Sequence, residues 1–215
     1  MKTLKVPHQH ISGYETIFDK IKLLHEAGAE AIIEQVNWKK EFPKKIPVSV
    51  RVAHDGEKIY LLYNVKGERL HAATIEDFGP VWEDSCVEFF MQREGEEKYR
   101  NFECNVLGAL LAAKRFDRNS PERLVDEMPS IVRQTFIEHK YENGIQMSDW
   151  SAYLEIPKKA MGFAEAESLS GQKLRANFYK CGDKTPEPHF ISWNLIETPS
   201  PNFHAPQFFG ILELE

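Results

Sequence analysis

The residues best placed to do chemistry lie between Val81 and Gly108, VWEDSCVEFFMQREGEEKYRNFECNVLG. Two period-two runs flank Glu94-Gly95-Glu96-Glu97, which predicts a hairpin with Met91 facing Arg100. In that register Val87, Phe89 and Met91 share a face with Phe102, Cys104 and Val106. The other face sets Glu88 opposite Glu103, with Asn101, Asn105 and Cys86 beside them. A slip of one residue would mix the two sets. Opposed carboxylates on a sheet repel, so a cation, a shared proton, an arginine or water must compensate. That makes the polar face a candidate ligand surface; the alternative is an ordinary solvated face.

Three chemistries are open to these acids. Opposed Cβ atoms on paired strands stand about 4.5–5.5 Å apart, compatible with the carboxylate pair of a retaining glycosidase. Asp84, Glu88 and Glu103 could also join carbonyl oxygens around calcium. The third option is hydrogen bonding to a hydroxylated ligand. Aromatics favour the last: sugar rings present C–H faces that stack on indoles while their hydroxyls need acids, amides and basic groups. Of the four tryptophans, Trp82 lies just before the acidic strand, and Trp193 lies between two proline-rich loops. Trp38 and Trp150 suit core positions. The chain shows no glycine-rich phosphate loop, nucleophile elbow, Cys/His dyad or transition-metal spacing.

The elements that must position these residues are mostly short strands. Ile17, Ile21 and Leu24 recur at helical spacing and predict one helix over 15–27, stopped at Gly28. Beyond it the period changes to two. Val48–Val52, Lys58–Val65, the central hairpin, Gly108–Arg115, Ile131–His139, Trp150–Ile156, Lys173–Cys181, Phe190–Leu195 and Gln207–Leu214 all suit strands. Asp117–Ser130 suits a loop, and Pro157 suits the opening of a short helix over 158–163. The pattern predicts an all-β protein: an antiparallel β-sandwich over 30–215 with a helical appendage at 1–29.

Composition narrows the partners. Hydrophobic residues at 42% and charged residues at 28% are ordinary for a globular domain. A net charge of −6 and no basic patch argue against nucleic acid. No apolar run is long enough to span a bilayer. The beginning of the chain lacks a secretory pattern, so it is expected to be cytoplasmic, or secreted or periplasmic if a signal has been removed. Cys86, Cys104 and Cys181 form neither a disulfide framework nor a zinc pattern and are expected as buried thiols. An acidic sandwich with covered edges is expected to be a monomer.

Five segments in order carry a family resemblance: DSCVEFF (84–90), YRNFECNVLG (99–108), WSAYLEIP (150–157), LRANFYKCGD (174–183), and ISWN (191–194) with NFHAPQFFGILEL (202–214). The chain resembles family 9 carbohydrate-binding modules and their stand-alone relatives, within the DOMON-like group of sugar- and haem-binding sandwiches. The resemblance implies a jelly-roll-like or immunoglobulin-like sandwich that binds a sugar without catalysis and serves carbohydrate catabolism, with xylan- or cellulose-type glycans as ligand class. It implies Trp82 and Trp193 as aromatic walls and Glu88 as an acceptor of sugar hydroxyls. Glu103, Asn101 and Asn105 would extend that polar set, with Arg175 and Asn177 as further partners. No cofactor is required; a structural calcium is a family feature whose ligands this sequence does not identify. Two departures stand out: no asparagine lies just upstream of Trp193, where Phe190 stands, and no Met/His pair suits haem. The rival expectations are a glycoside-acting enzyme using Glu88 and Glu103, and an interaction domain that has lost its sugar site.

Overall fold

The computed structural model describes residues 1–215. Its strands are β1 (Thr3–Val6), β2 (Ala29–Ile33), β3 (Gln35–Val36), β4 (Val48–His54), β5 (Lys58–Glu68), β6 (Cys86–Arg93), β7 (Tyr99–Asn105), β8 (Leu110–Arg115) and β9 (Pro121–Arg123). They continue as β10 (Val132–Glu142), β11 (Ile145–Pro157), β12 (Lys173–Gly182), β13 (His189–Ser192) and β14 (Gly210–Leu214). The α-helix, α1, spans Ile17–Ala27. The first sheet runs β1-β14-β12-β6-β7-β8-β9, with β13 and then β3 added beside β12. The second runs β10-β11-β5-β4-β2. Two facing sheets make the expected β-sandwich.

Alternation along the strands decides what lies between the sheets. On β6 and β7 the predicted register holds: Glu88 pairs with Glu103, Phe89 with Phe102, and Met91 with Arg100. Val87, Phe89, Met91, Phe102, Cys104 and Val106 accordingly enter the intersheet core. The hairpin turns at Gly95, whose φ of +79° suits a residue without a Cβ. Trp150 from β11 lies in the same core, and the Tyr63 hydroxyl donates across it to the Glu88 carbonyl at 2.8 Å.

A buried polar clamp ties the sheets at one end. Lys180 of β12 points inward and donates to Glu68 Oε1 of β5 at 2.8 Å. Its Nζ also donates to the Cys181 carbonyl at 2.7 Å and lies 2.8 Å from His189 Nε2. Trp150 Nε1 donates to the other Glu68 oxygen at 2.7 Å. Burial and the Lys180 charge push His189 down to about 2, so its imidazole is neutral. Both charges are thus paired and hydrogen-bonded, the condition for burying them.

The N-terminal 29 residues are woven into the sandwich. Strand β1 pairs in parallel with β14, Thr3 against Ile211 through Val6 against Leu214. Helix α1 is capped by Thr16, whose side chain accepts from the Asp19 N–H at 3.2 Å. Its apolar stripe, with Leu24 buried and Ile17 and Ile21 beside it, covers Tyr60, Leu62 and Tyr153 on the outer face of the second sheet. The helix expected over 158–163 is instead a set of turns. Pro157 is the last strand residue, still paired with Lys58, and Gly162 at φ +87° reverses the chain before a helix can propagate. Strands β1, β2, β3 and β9 were not expected from the sequence pattern. No helix is long and apolar enough to cross a membrane.

Candidate functional site

The outer face of the first sheet is not simply solvated. Loops from 37–47 and 195–209 cover part of it through Trp38, Phe42, Phe203 and Phe209. Between those loops and the β8–β9 edge lies a cleft of about 380 Å³. That is within the range of roughly 300–1,000 Å³ seen for small-molecule sites. Glu88, Glu103, Cys181, Leu111 and Ala113 form its floor; Trp82, Phe78, Phe190 and Phe203 form apolar walls. Arg115, Arg118 and Arg123 stand along one side, with Asp183 and His204 also lining it.

The two opposed glutamates are at the bottom, each 3% exposed. Burial pushes Glu88 well above the ordinary carboxyl range, helped by Cys181 and Glu103. The Cys181 thiol donates to Glu88 Oε1 at 3.0 Å. Burial also pushes Glu103 up to about 7, with Arg115 and Asn101 opposing. Asn101 Nδ2 donates to Glu103 Oε1 at 2.8 Å while Asn101 Oδ1 accepts from Arg115 Nε at 2.8 Å. Burial thus favours the protonated forms, which lessens the repulsion of the paired acids, and Arg115 acts on Glu103 through the Asn101 amide. A protonated carboxyl both donates and accepts, which suits sugar hydroxyls.

Trp82 reaches the cleft because a buried aspartate folds the loop before it. Asp84 accepts from the backbone N–H groups of Ala73 and Thr74 at 3.0 and 2.9 Å, and its Oδ1 lies 2.8 Å from His71 Nδ1. Asn105 Nδ2 donates to Asp84 Oδ2 at 2.8 Å and to the Thr74 carbonyl at 2.7 Å, and Asn105 Oδ1 accepts from Leu107 and Ala109. Burial alone would raise Asp84; these donors outweigh it and hold the carboxyl below its ordinary value. Asn105 thus positions the loop rather than lining the cleft.

Three further expected site residues lie elsewhere. Trp193 is not the second wall: it is 4% exposed in the intersheet core, with its ring against Phe178. Strand parity is the reason. Ser192 and Phe190 face the same side as Tyr179 and Cys181, so residues 191 and 193 face the core, and Phe190 takes the place at the cleft. Asn177 is consumed by backbone, donating to the Asn194 carbonyl at 3.3 Å and accepting from the Asn194 and Phe178 N–H groups. It bridges the point where the edge of β12 passes from β14 to β13. Arg175 donates to Gln92 Oε1 at 3.1 Å and to the Pro206 carbonyl at 2.6 Å, away from the cleft.

The acids named as calcium ligands do not fit that ion. Both Asp84 oxygens are occupied, and Glu88 Oε1 already accepts from the Cys181 thiol. A different donor set does converge: one atom each of Cys86, Cys181 and Glu88 lie within 4.8 Å of one another. Two sulfurs are soft ligands, unlike the six to eight oxygens calcium takes. All three thiols of the chain are free and buried, and burial pushes Cys86 and Cys104 up to about 12.

A sandwich with a preformed, aromatic-walled cleft over a polar floor, on one sheet face, has the architecture of a binding module. Comparison with protein families matches residues 18–214 to carbohydrate-binding family 9, and the chain belongs to that family. Its members are non-catalytic binding modules. Among solved structures, a Bacteroides uniformis protein named as a candidate carbohydrate-binding protein is 34% identical with a TM-score of 0.84. That alignment covers 100% of this chain and 99% of the other. A family 9 module from Caldicellulosiruptor kristjanssonii, solved with glucose, aligns at TM-score 0.61 and 11% identity over 100% and 96% of the two chains. The same module solved with cellotriose gives the same score and identity, with 94% of that chain covered. Comparison with curated proteins finds no match.

Sequence reasoning missed Arg115, Asp183, Phe190 and His204. Phe190 shares parity with Cys181, and Arg115 lies opposite Tyr99, so both follow once the strand pairings are known. Asp183 and His204 sit on loops where no periodicity points to a face.

Proposed function

We propose that the cleft is the sugar site, with Trp82 as the stacking surface and Glu88 and Glu103 bonding hydroxyls. Phe190 faces the cleft from β13, in the role the sequence had assigned to Trp193. The observation that carries this reading is a pair of buried, opposed carboxyls flooring an aromatic-walled cleft, with neither acid in a salt bridge. Neutral or near-neutral carboxyls are suited to a neutral polyol, where each hydroxyl both donates and accepts. The complexes of the C. kristjanssonii module with glucose and cellotriose support β-glucan oligosaccharides as a first ligand class.

The same pair argues against glycoside hydrolysis. A glycosidase separates its two carboxyls into an acid and an ionised partner, whereas burial pushes both of these in the same direction. We therefore read the protein as a binder that performs no turnover, acting in carbohydrate utilisation.

The test is isothermal titration against cello- and xylo-oligosaccharides beside Trp82→Ala. Saturable binding that weakens by about 2 kcal/mol or more in the variant supports the site, that being the size of a binding hot spot. Undiminished binding in Trp82→Ala removes the site assignment. Release of chromophore from aryl glycosides, lost in Glu88→Gln, would instead establish the enzyme.

A further inference from the structure

The cleft is electrically lopsided: three arginines stand along one side, more cationic donors than a neutral sugar needs. On β8 and β9, Arg115 pairs with Pro121 and Ala113 with Arg123, which puts both arginines on the cleft face. Lys114 and Glu122 pair on the opposite face, where Glu122 bonds Lys98 instead. The one acid of β9 is thereby turned away from the arginines. Between the strands the turn is locked by Ser120 Oγ, which accepts from Asp117 N–H at 3.0 Å, and by Asp117 Oδ1, which accepts from Asn119 N–H at 2.7 Å. Arg115 Nη1 donates to the Arg118 carbonyl at 2.7 Å and fixes that residue over the cleft.

No carboxylate comes within 4.0 Å of any of these three guanidinium groups, whereas the nearby Arg133 is paired with Asp77. Arg118 and Arg123 are exposed, but Arg115 is only 7% exposed. Its hydrogen bonds go to neutral acceptors, the Asn101 amide and a backbone carbonyl. Arg123 lies over the Phe78 ring at 5.4 Å, so its stem is held along the wall. Glu103 feels the Arg115 charge through Asn101, and Asp183 feels Arg118, but neither acid bonds a guanidinium directly, so the three cations keep donors free for an anionic ligand.

We propose that the preferred ligand is an acidic sugar: a saccharide whose carboxylate or sulfate ester docks against Arg115, Arg118 and Arg123. Its ring would stack on Trp82 while its hydroxyls meet the Glu88/Glu103 floor. Guanidinium groups match both anions geometrically, forming paired, charge-assisted hydrogen bonds. The inference rests on the sugar-binding reading of the same cleft and specifies the ligand.

Titration of the intact chain with matched pairs tests it: glucuronic acid-substituted against plain xylo-oligosaccharides, oligogalacturonides against neutral galactan fragments, and sulfated against unsulfated sugars. The expected result is a preference of about tenfold or more for an acidic member. That preference should shrink when salt is raised to about 1 M, where screening acts within a few ångströms. Arg118→Gln with Arg123→Gln, two exposed positions that leave the fold undisturbed, should collapse the acidic-to-neutral affinity ratio. The arms separate carboxylate from sulfate as the recognised group. Neutral partners binding as tightly as acidic ones, with the ratio unmoved by the double variant, would overturn the inference and leave the sugar site standing. Absence of binding to every member, by protein whose circular dichroism is intact, would overturn both.

Discussion

At the level of single side chains, the site is defined by two acids whose burial favours their protonated forms. Glu103 is the measurable one, raised from 4.5 to about 7 chiefly by burial. A carboxyl whose pKa is raised in the folded state binds more protons folded than unfolded. Its contribution is fully present below about 4.5 and is lost as pH rises through about 7. The melting temperature of the parent relative to Glu103→Gln should therefore fall across that window; a flat difference would show that Glu103 is ionised and compensated. Buried Glu155 behaves oppositely. Burial raises it, but Lys20 and Lys58, at 2.7 and 2.8 Å, hold it below the ordinary value. Its contribution is present above the unfolded pKa and is lost on acidification, so Glu155→Gln should flatten the acid limb of the stability curve. The Glu88/Glu103 pairing was legible because period-two alternation admits one register that sorts the apolar residues. Their protonation was not, because it depends on loops that close over the sheet from elsewhere in the chain.

Among the elements, the β6–β7 hairpin and the loop before it act as one unit, joined by Asn105. Four hydrogen bonds converge on that amide from the β7–β8 turn and the loop over 71–84. Asn105→Ala should cost about 1–3 kcal/mol, the penalty for orphaning buried partners. It should also weaken sugar binding through Trp82 without touching the ligand. Denaturant melts together with solute quenching of Trp82, the one tryptophan that is not buried, would check both; a stability loss with an undisturbed Trp82 would contradict the positioning role. Trp193 illustrates what a motif cannot convey. Its place between proline-rich loops suggested exposure, yet the pairing of Cys181 with Phe190 on β13 fixes the parity and sends the indole inward. The strand was visible in the sequence; which of its residues faced out required its partner. Asn177 failed as a ligand for a related reason, since its amide substitutes for ladder hydrogen bonds where two strands share one edge.

For the molecule as a whole, two sheets are held by an apolar core with one charged clamp, Lys180 to Glu68, at its end. Removing one partner leaves the other charge buried and unpaired, which typically costs 3–5 kcal/mol. Chemical denaturation of Lys180→Met should show a loss of about that size, and adding Glu68→Gln should recover part of it; no recovery would mean that the cost is packing alone. The sandwich itself was plain from many short alternating runs and one helical stripe. What escaped was the part built from weak local signals: the four-residue β1, the two-residue β3, and the crossing of the chain from one sheet to the other at residues 34–35. Strand β1 has a consequence of its own. Because it lies parallel to β14, with the Glu215 N–H donating to the Val6 carbonyl at 2.9 Å, tension applied to the two chain ends slides these strands lengthwise past each other. The ladder bonds then bear the load together in shear instead of peeling open one by one.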